Sequence, residues 1–203
     1  MTLLRTGLLL LLVGLSGNLL ADNYKTLSDR VRPQVSSEKI EVTAIFSYTC
    51  PYCYQLEPQL QTWSESLPDD VEVVHLPAAF NAQWEHLARA YYIMDALDMT
   101  DQVHMALFDR IHQENANLGS QRALRNFFAD FGVDGKKFDE LYSSFGVNSQ
   151  VKQDTARLRN YKVTGVPALV IDGQYVVDGN SAGSLGNMLT VADDLITQVR
   201  ANR

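Results

Sequence analysis

The 203-residue sequence is poor in cysteine and has no surplus of basic residues. Its two cysteines exclude a densely disulfide-linked scaffold and a zinc site built from four cysteines. There are 17 Lys and Arg against 24 Asp and Glu, and the resulting net charge of −7 argues against a nucleic-acid-binding protein, which would show a basic surplus. With 46% hydrophobic and 20% charged residues, the composition is that of a globular protein and excludes wholesale disorder, collagen-like repeats and coiled coils.

Residues 1–21 have the features of a secretory signal peptide. Arg5 supplies a positive charge, an apolar run follows at residues 8–15, and Ala21 provides a small residue at the expected cleavage point. The apolar run is shorter than the ~20 residues that a membrane-spanning helix needs. We therefore expect export to an oxidising compartment, where a cysteine pair can persist as a disulfide. An uncleaved membrane anchor is the alternative.

Strand and helix signals along the chain predict an α/β protein interrupted by a block of helices. Runs rich in β-branched and apolar residues predict strands at 39–47, 71–76, 168–171 and 174–177. Apolar residues at helical spacing dominate the stretch between the second and third strands. We expect residues 22–80 and 162–203 to form one sheet-containing unit and residues 81–161 to form an inserted all-helical subdomain.

The two cysteines, Cys50 and Cys53, are separated by two residues at the start of the helix that follows the first strand. A Cys-x-x-Cys motif in this position is typical of thiol–disulfide chemistry. Free backbone N–H groups and the positive end of the helix dipole stabilise the thiolate of the first cysteine. Thr49 is the expected N-cap, and Pro51 suits the first turn because its missing N–H would have no partner there.

Two other roles for the cysteine pair stay open at this point. A structural disulfide between Cys50 and Cys53 would close a loop too short to stabilise the fold much. A zinc site would need two further ligands, and the four histidines include no closely spaced pair. We expect these histidines, which are His75, His86, His104 and His112, to be solvated or structural residues. Six aromatic residues of the helical block are expected to form its core; they are Tyr91, Tyr92, Phe127, Phe128, Phe131 and Phe138.

Two separate segments resemble a known family. Residues 46–55 have the sequence FSYTCPYCYQ, and the sequence GVPA at residues 165–168 stands at the start of the third strand. Together with the turn at residues 172–175, they closely resemble the DsbA family of periplasmic thiol:disulfide oxidoreductases, over nearly all of the chain after residue 21. The resemblance implies a thioredoxin fold with an inserted all-helical subdomain.

The resemblance also implies roles for individual residues. Cys50 would be the exposed nucleophile and Cys53 its buried partner, with Pro51 and Tyr52 as the dipeptide between them. The Cys-Pro-Tyr-Cys sequence also occurs in glutaredoxins and in a related isomerase. The motif therefore does not fix the direction of electron flow.

Three positions outside the motif complete the expected site. Pro167 would be cis and pack against the disulfide, and Val166 would lend its backbone to an extended substrate segment. Glu57 falls where the family often has a partly buried acid, which makes it a candidate for proton transfer or for tuning a cysteine pKa. Ala44, in contrast, stands where many members have a buried glutamate, and this puts the usual proton-transfer assistance in doubt.

The resemblance implies that this protein donates its Cys50–Cys53 disulfide to reduced, unfolded, exported proteins and is reoxidised by a DsbB-type membrane oxidase. We expect a periplasmic monomer with no metal, no nucleic-acid partner and no cofactor besides the cysteine pair. Two alternatives stay open. One is a periplasmic disulfide reductase or isomerase, and the other is a non-redox, chaperone-like binding protein on the same fold.

Overall fold

The computed structural model describes residues 23–203, so the predicted signal peptide at residues 1–21 lies outside the described residues. A five-stranded sheet has the strand order β1-β5-β4-β2-β3. The strands are β1 (Lys25–Thr26), β2 (Ile40–Phe46), β3 (Val71–Pro77), β4 (Ala168–Ile171) and β5 (Tyr175–Asp178). The β2 and β3 strands pair in parallel, and the other neighbours are antiparallel. Within residues 23–203, no helix has the length and apolar character needed to cross a membrane.

Helices connect and cover these strands. They are α1 (Pro51–Glu65), α2 (Ala82–Ala96), α3 (Thr100–His112), α4 (Gln121–Ala129), α5 (Gly135–Tyr142), α6 (Phe145–Asn160), α7 (Gly179–Ala182) and α8 (Leu185–Ala201). The α1 helix joins the parallel strands β2 and β3, while α2 to α6 lie between β3 and β4. The α/β class with a helical insertion is therefore confirmed. The short β1 strand lies ahead of the first strand that the sequence predicts, at residues 39–47.

The central strand β2 is buried at all seven positions because helices cover both faces of the sheet. Side chains alternate between the faces along a strand. Val42 and Ala44 pack into the cluster that contains residues of α1 and α8, whereas Ile45 packs with Leu158 and Tyr161 at the end of α6. The active-site helix α1 and the helical insertion thus contact opposite faces of the same strand.

The β4–β5 hairpin turns at Asp172 and Gly173, as the sequence predicts. Both residues have positive φ angles, 51° and 67°, which is the backbone that a type I′ turn requires. A Cβ atom on Gly173 would stand 1.8 Å from the carbonyl oxygen of Val31, so glycine is required at this position. The turn sets the register of β4, whose first residue follows Pro167.

A buried polar network joins the insertion to the sheet. Arg157 of α6 forms an ion pair with Glu41 of β2, and both residues are buried. The same guanidinium donates to Thr43 Oγ1 at 3.2 Å and to the hydroxyl of Tyr161 at 2.7 Å. Glu41 also accepts a hydrogen bond from the backbone N–H of Gln34. The ion pair and these hydrogen bonds offset the burial of the two charges, although Nε and Nη1 of Arg157 have no hydrogen-bond partner among the described residues.

Candidate active site

The active-site helix α1 begins directly after Cys50, and Cys50 itself is the N-cap. Its Sγ accepts a hydrogen bond from the backbone N–H of Cys53 at 3.3 Å. The prediction that Thr49 caps the helix is wrong, since the Thr49 hydroxyl instead lies 3.2 Å from that of Ser47. Cys50 has an extended backbone just before Pro51, and this conformation turns its sulfur towards the free N–H groups of the first helical turn.

The two thiols have opposite electrostatic environments. A hydrogen bond from the Cys53 thiol and further ones from the backbone N–H groups of Cys53 and Tyr52 outweigh burial and lower the pKa of Cys50 to about 6. Burial, together with the nearby Cys50, raises the pKa of Cys53 far above its usual value. Both residues are free cysteines in this structure, so the geometry is that of the reduced form. The first cysteine is therefore the one that ionises.

Cys50 is less exposed than the resemblance implies. Cys50 is 8% exposed and Cys53 is 1% exposed, so Cys50 is the less buried of the two but not an exposed residue. The loop before β4 lies against Cys50, because the Cys50 thiol donates to the carbonyl oxygen of Val166 at 3.4 Å. The following bond, Val166–Pro167, is cis. Val166 is 116 positions away from Cys50 in the sequence, and the fold brings the two residues into contact.

A surface groove of about 840 Å³ runs beside the cysteines. Tyr52, Val166 and Pro167 line the groove, together with residues of β5 and the start of α8. Tyr52 is 60% exposed, which makes it one of the few large hydrophobic side chains on the described surface. An exposed aromatic beside a groove is typical of a surface that contacts another molecule.

Glu57 lies one helical turn beyond Cys53, on the same face of α1, and is buried. Its Oε1 is 2.9 Å from Nε2 of His75 in β3 and 3.2 Å from Nε2 of His104 in α3. Burial alone would raise the pKa of Glu57, but the two imidazoles, His104 first, outweigh burial and lower it to about 2. Glu57 is thus a buried carboxylate that stays ionised near the redox cysteines.

Three of the four histidines surround the base of α1, which the sequence did not predict. Besides the two beside Glu57, His112 Nε2 lies 2.8 Å from the carbonyl oxygen of Tyr48, and its ring stacks on Tyr54 at 4.8 Å. His104 Nδ1 lies 2.7 Å from the Tyr48 hydroxyl. These contacts fix the insertion helix α3 against the active-site helix. Four of the six expected core aromatics are buried, and the other two, Tyr91 and Phe131, pack against that core; the four are Tyr92, Phe127, Phe128 and Phe138. Phe145 of α6, in contrast, is 87% exposed.

Comparisons with known proteins agree with this geometry. A family model for the DSBA-like thioredoxin domain matches residues 73–185. The chain is 39% identical over 178 residues to the thiol:disulfide interchange protein DsbA of Pseudomonas aeruginosa, covering 88% of this chain and 84% of that protein. It is 37% identical over 169 residues to the DsbA of Azotobacter vinelandii, covering 83% of this chain and 79% of that protein.

Solved structures extend the similarity to the fold. The crystal structure of Pseudomonas aeruginosa DsbA matches with a TM-score of 0.85 at 37% identity, covering 90% of this chain and 94% of that chain. The oxidoreductase DsbA from Xylella fastidiosa matches with a TM-score of 0.81 at 30% identity, covering 88% and 95%. The expected thioredoxin fold with a helical insertion is thereby confirmed. On sequence and structure together, the chain belongs to the DsbA family of thiol:disulfide oxidoreductases.

Proposed function

We propose that this protein donates the Cys50–Cys53 disulfide to reduced, unfolded proteins that have been exported to the periplasm. The supporting observation is the Cys50 sulfur at the N-terminus of α1, with a pKa lowered to about 6. At pH 7 roughly nine-tenths of such a group is thiolate. A thiolate that is stabilised in the reduced protein makes the disulfide easier to reduce and therefore more oxidising.

The exchange takes place in two steps. A substrate thiolate attacks Cys50 Sγ, the Cys50–Cys53 bond breaks, and the Cys53 sulfur leaves and takes up a proton. A second substrate thiolate then attacks the substrate sulfur of the mixed disulfide, and Cys50 leaves as a thiolate. The substrate loses two electrons and gains a disulfide, and the protein gains the same two electrons as a dithiol. The low pKa of Cys50 makes it a good leaving group in the second step.

The substrate segment binds along the groove beside the cysteines. Val166 presents its backbone there, and Pro167 keeps the loop close to the Cys50 sulfur. An extended chain can add to such a backbone as a strand does, which gives affinity without demanding a sequence. Tyr52 adds an exposed apolar contact to the groove, and Pro51 starts the helix that holds it. This combination suits unfolded substrates of many sequences.

Glu57 acts by tuning a pKa rather than by carrying a proton. With a pKa of about 2, it holds no proton at neutral pH and cannot supply one to the departing Cys53. Burial and the adjacent Cys50 are the main causes of the raised pKa of Cys53, and the negative charge of Glu57 adds to them. Cys53 therefore stays protonated in the reduced protein, while Cys50 carries the charge.

The remaining parts of the proposal follow from family membership and from the chemistry of the site. The exchange itself needs no cofactor, because the cysteine pair carries both electrons. A DsbB-type membrane oxidase would regenerate the disulfide, and the protein would work as a periplasmic monomer. Residues 22–80 and 162–203 would form the redox unit, and residues 81–161 would form the inserted helical subdomain.

Thiol trapping in living cells tests the proposed direction of electron flow. We expect the Cys50–Cys53 pair to be predominantly oxidised in wild-type cells, since a donor has to be kept as the disulfide. Cells that lack the DsbB-type oxidase should accumulate the dithiol form. Acid quenching followed by alkylation with a mass-shifting reagent separates the two forms on a gel. A predominantly reduced pool in cells that contain the oxidase would contradict the proposal and favour a reductase or isomerase.

A further inference from the structure

We propose that Glu57, His75 and His104 form a binding site for a divalent metal ion of the zinc class, beneath the redox cysteines. One ligand atom from each residue lies within 4.8 Å of the other two. Two imidazole nitrogens and one carboxylate oxygen are a donor set that zinc uses in proteins. The three residues belong to α1, β3 and α3, so the ion would join the active-site helix, the sheet and the insertion. This site goes beyond the exchange reaction, which requires no metal.

The distances among the ligand atoms suit the ion. Zinc bonds to imidazole nitrogen and carboxylate oxygen are each about 2.0–2.2 Å, so two ligand atoms of a tetrahedral site stand about 3.3 Å apart. The Glu57 Oε1 atom lies 2.9 Å from His75 Nε2 and 3.2 Å from His104 Nε2. Movements of a few tenths of an ångström at the carboxylate would open room for the ion.

The unpaired nitrogen of His104 is an independent sign of a ligand. His104 is more than nine-tenths buried, and its Nε2 has no hydrogen-bond partner although it lies close to Glu57 Oε1. A buried polar atom without a partner is rare in proteins and calls for an explanation. A metal ion between this nitrogen and the carboxylate would satisfy both atoms.

The surroundings of His104 match those of a metal-bound histidine. Such a histidine usually donates its other ring N–H to an acceptor, which fixes the orientation of the ring. His104 Nδ1 lies 2.7 Å from the Tyr48 hydroxyl, and that hydroxyl donates onward to Met94 Sδ at 3.6 Å. With a metal ion bound, Nδ1–H would donate to the Tyr48 hydroxyl and the lone pair of Nε2 would face the ion. The ring of Phe46 packs edge-on against both histidines and shields the site.

A cleft on the surface offers a path for the ion. His75 retains about a quarter of its side-chain exposure and lines a cleft of about 610 Å³ together with Tyr91, Tyr92 and Asp95. The Asp95 carboxylate gives this cleft a negative group that attracts cations. The cleft also leaves space beside His75 for a water molecule as the fourth ligand. A site with three protein ligands and one open position fits this arrangement.

Zinc titration of the oxidised protein tests the proposal. The disulfide form is required because free thiolates would themselves bind zinc. We expect isothermal titration calorimetry, after treatment with a chelator, to give one Zn²⁺ per chain. Glu57→Gln, His75→Ala and His104→Ala should each weaken binding at least roughly tenfold, since even groups outside the ligand set are worth that much. His86→Ala is the matched control and should bind as wild type, because His86 contacts Tyr142 elsewhere in the insertion.

Cobalt provides a second readout. Co²⁺ bound to the oxidised protein should show visible d–d absorption without the thiolate charge-transfer band that cysteine ligands produce. Because His75 is partly exposed, His75→Ala keeps the test valid even if the buried His104→Ala variant fails to fold. If the oxidised wild type binds no zinc at a Zn²⁺ concentration of about 1 mM, the proposal is overturned, because only a site with a dissociation constant above about 1 mM would escape detection. Undiminished binding by both Glu57→Gln and His75→Ala would overturn it as well.

Discussion

Replacing Cys50 with serine should abolish disulfide transfer to a reduced peptide, lowering the rate by about a hundredfold or more, because no other group can take the role of the attacked sulfur. Serine is itself a favoured N-cap residue. The hydroxyl of Cys50→Ser can therefore accept the Cys53 N–H in place of the sulfur, and α1 should keep its start. The loss would then report chemistry rather than unfolding. Thiol loss from the peptide, followed by quenched alkylation, measures the rate.

A second variant separates the roles of the two cysteines. Cys53→Ser leaves the Cys50 thiolate in place but removes the resolving thiol. When challenged with a disulfide-containing peptide, it should accumulate a mixed disulfide with the mass of both partners. Thr49→Ala serves as the control in the same turn, since the structure assigns the N-cap to Cys50 and leaves Thr49 outside the site.

Equal transfer by Cys50→Ser and wild type would end the redox interpretation.

Replacing Arg157 with methionine should cause a large loss of stability. The change leaves Glu41, which is 0% exposed, as a buried carboxylate without its cation. Breaking a buried ion pair by removing one partner typically costs about 3–5 kcal/mol. The variant also loses donors to Thr43 and Tyr161. Urea denaturation of the reduced protein, with wild type under the same conditions, should show this decrease in the free energy of unfolding.

The matched control for Arg157→Met is Arg200→Met. Arg200 forms a two-point ion pair with Asp70, and both side chains are substantially exposed. Exposed ion pairs usually contribute about 0–1 kcal/mol because water solvates the separated charges well. The loss for Arg200→Met should therefore be several-fold smaller. Similar losses for the two variants would show that the Glu41–Arg157 pair does not anchor the insertion.

The parts of the fold that depend on neighbouring residues were predictable from the sequence. The turn at Asp172 and Gly173 has a local signature because only a few residue types tolerate its positive φ angles. The start of α1 next to Pro51 is similarly local. The sequence did not decide between Thr49 and Cys50 as the N-cap, since both side chains can accept a hydrogen bond from a free backbone N–H. The choice depends on which side chain reaches the free N–H groups once the loop is folded.

The features that depend on distant residues left no signal in the sequence. His75 and His104 reach Glu57 only because β3 pairs with β2 and α3 packs on the active-site helix. A search for closely spaced histidines therefore misses them. Arg157 is a comparable case: it lies on a helix whose sequence is polar, and nothing local indicates that its guanidinium points into the core towards Glu41.

The equilibrium constant for disulfide transfer from the oxidised protein to a reduced peptide with two cysteines, measured from pH 5 to 8, is the most direct test of the proposed donor function. The pKa of Cys50 in the folded protein, about 6, lies below the ordinary value of 9.0, so ionisation favours the reduced form above about pH 6 and contributes nothing below it.

While the peptide thiols, with a pKa of about 8.5, stay protonated, each transfer releases one proton and the constant should rise roughly tenfold per pH unit. We expect it to be flat below about pH 6, to rise above that value and to favour the oxidised peptide at pH 7. A constant that does not change with pH, or a disulfide that stays on Cys50 and Cys53 at neutral pH, would contradict the account.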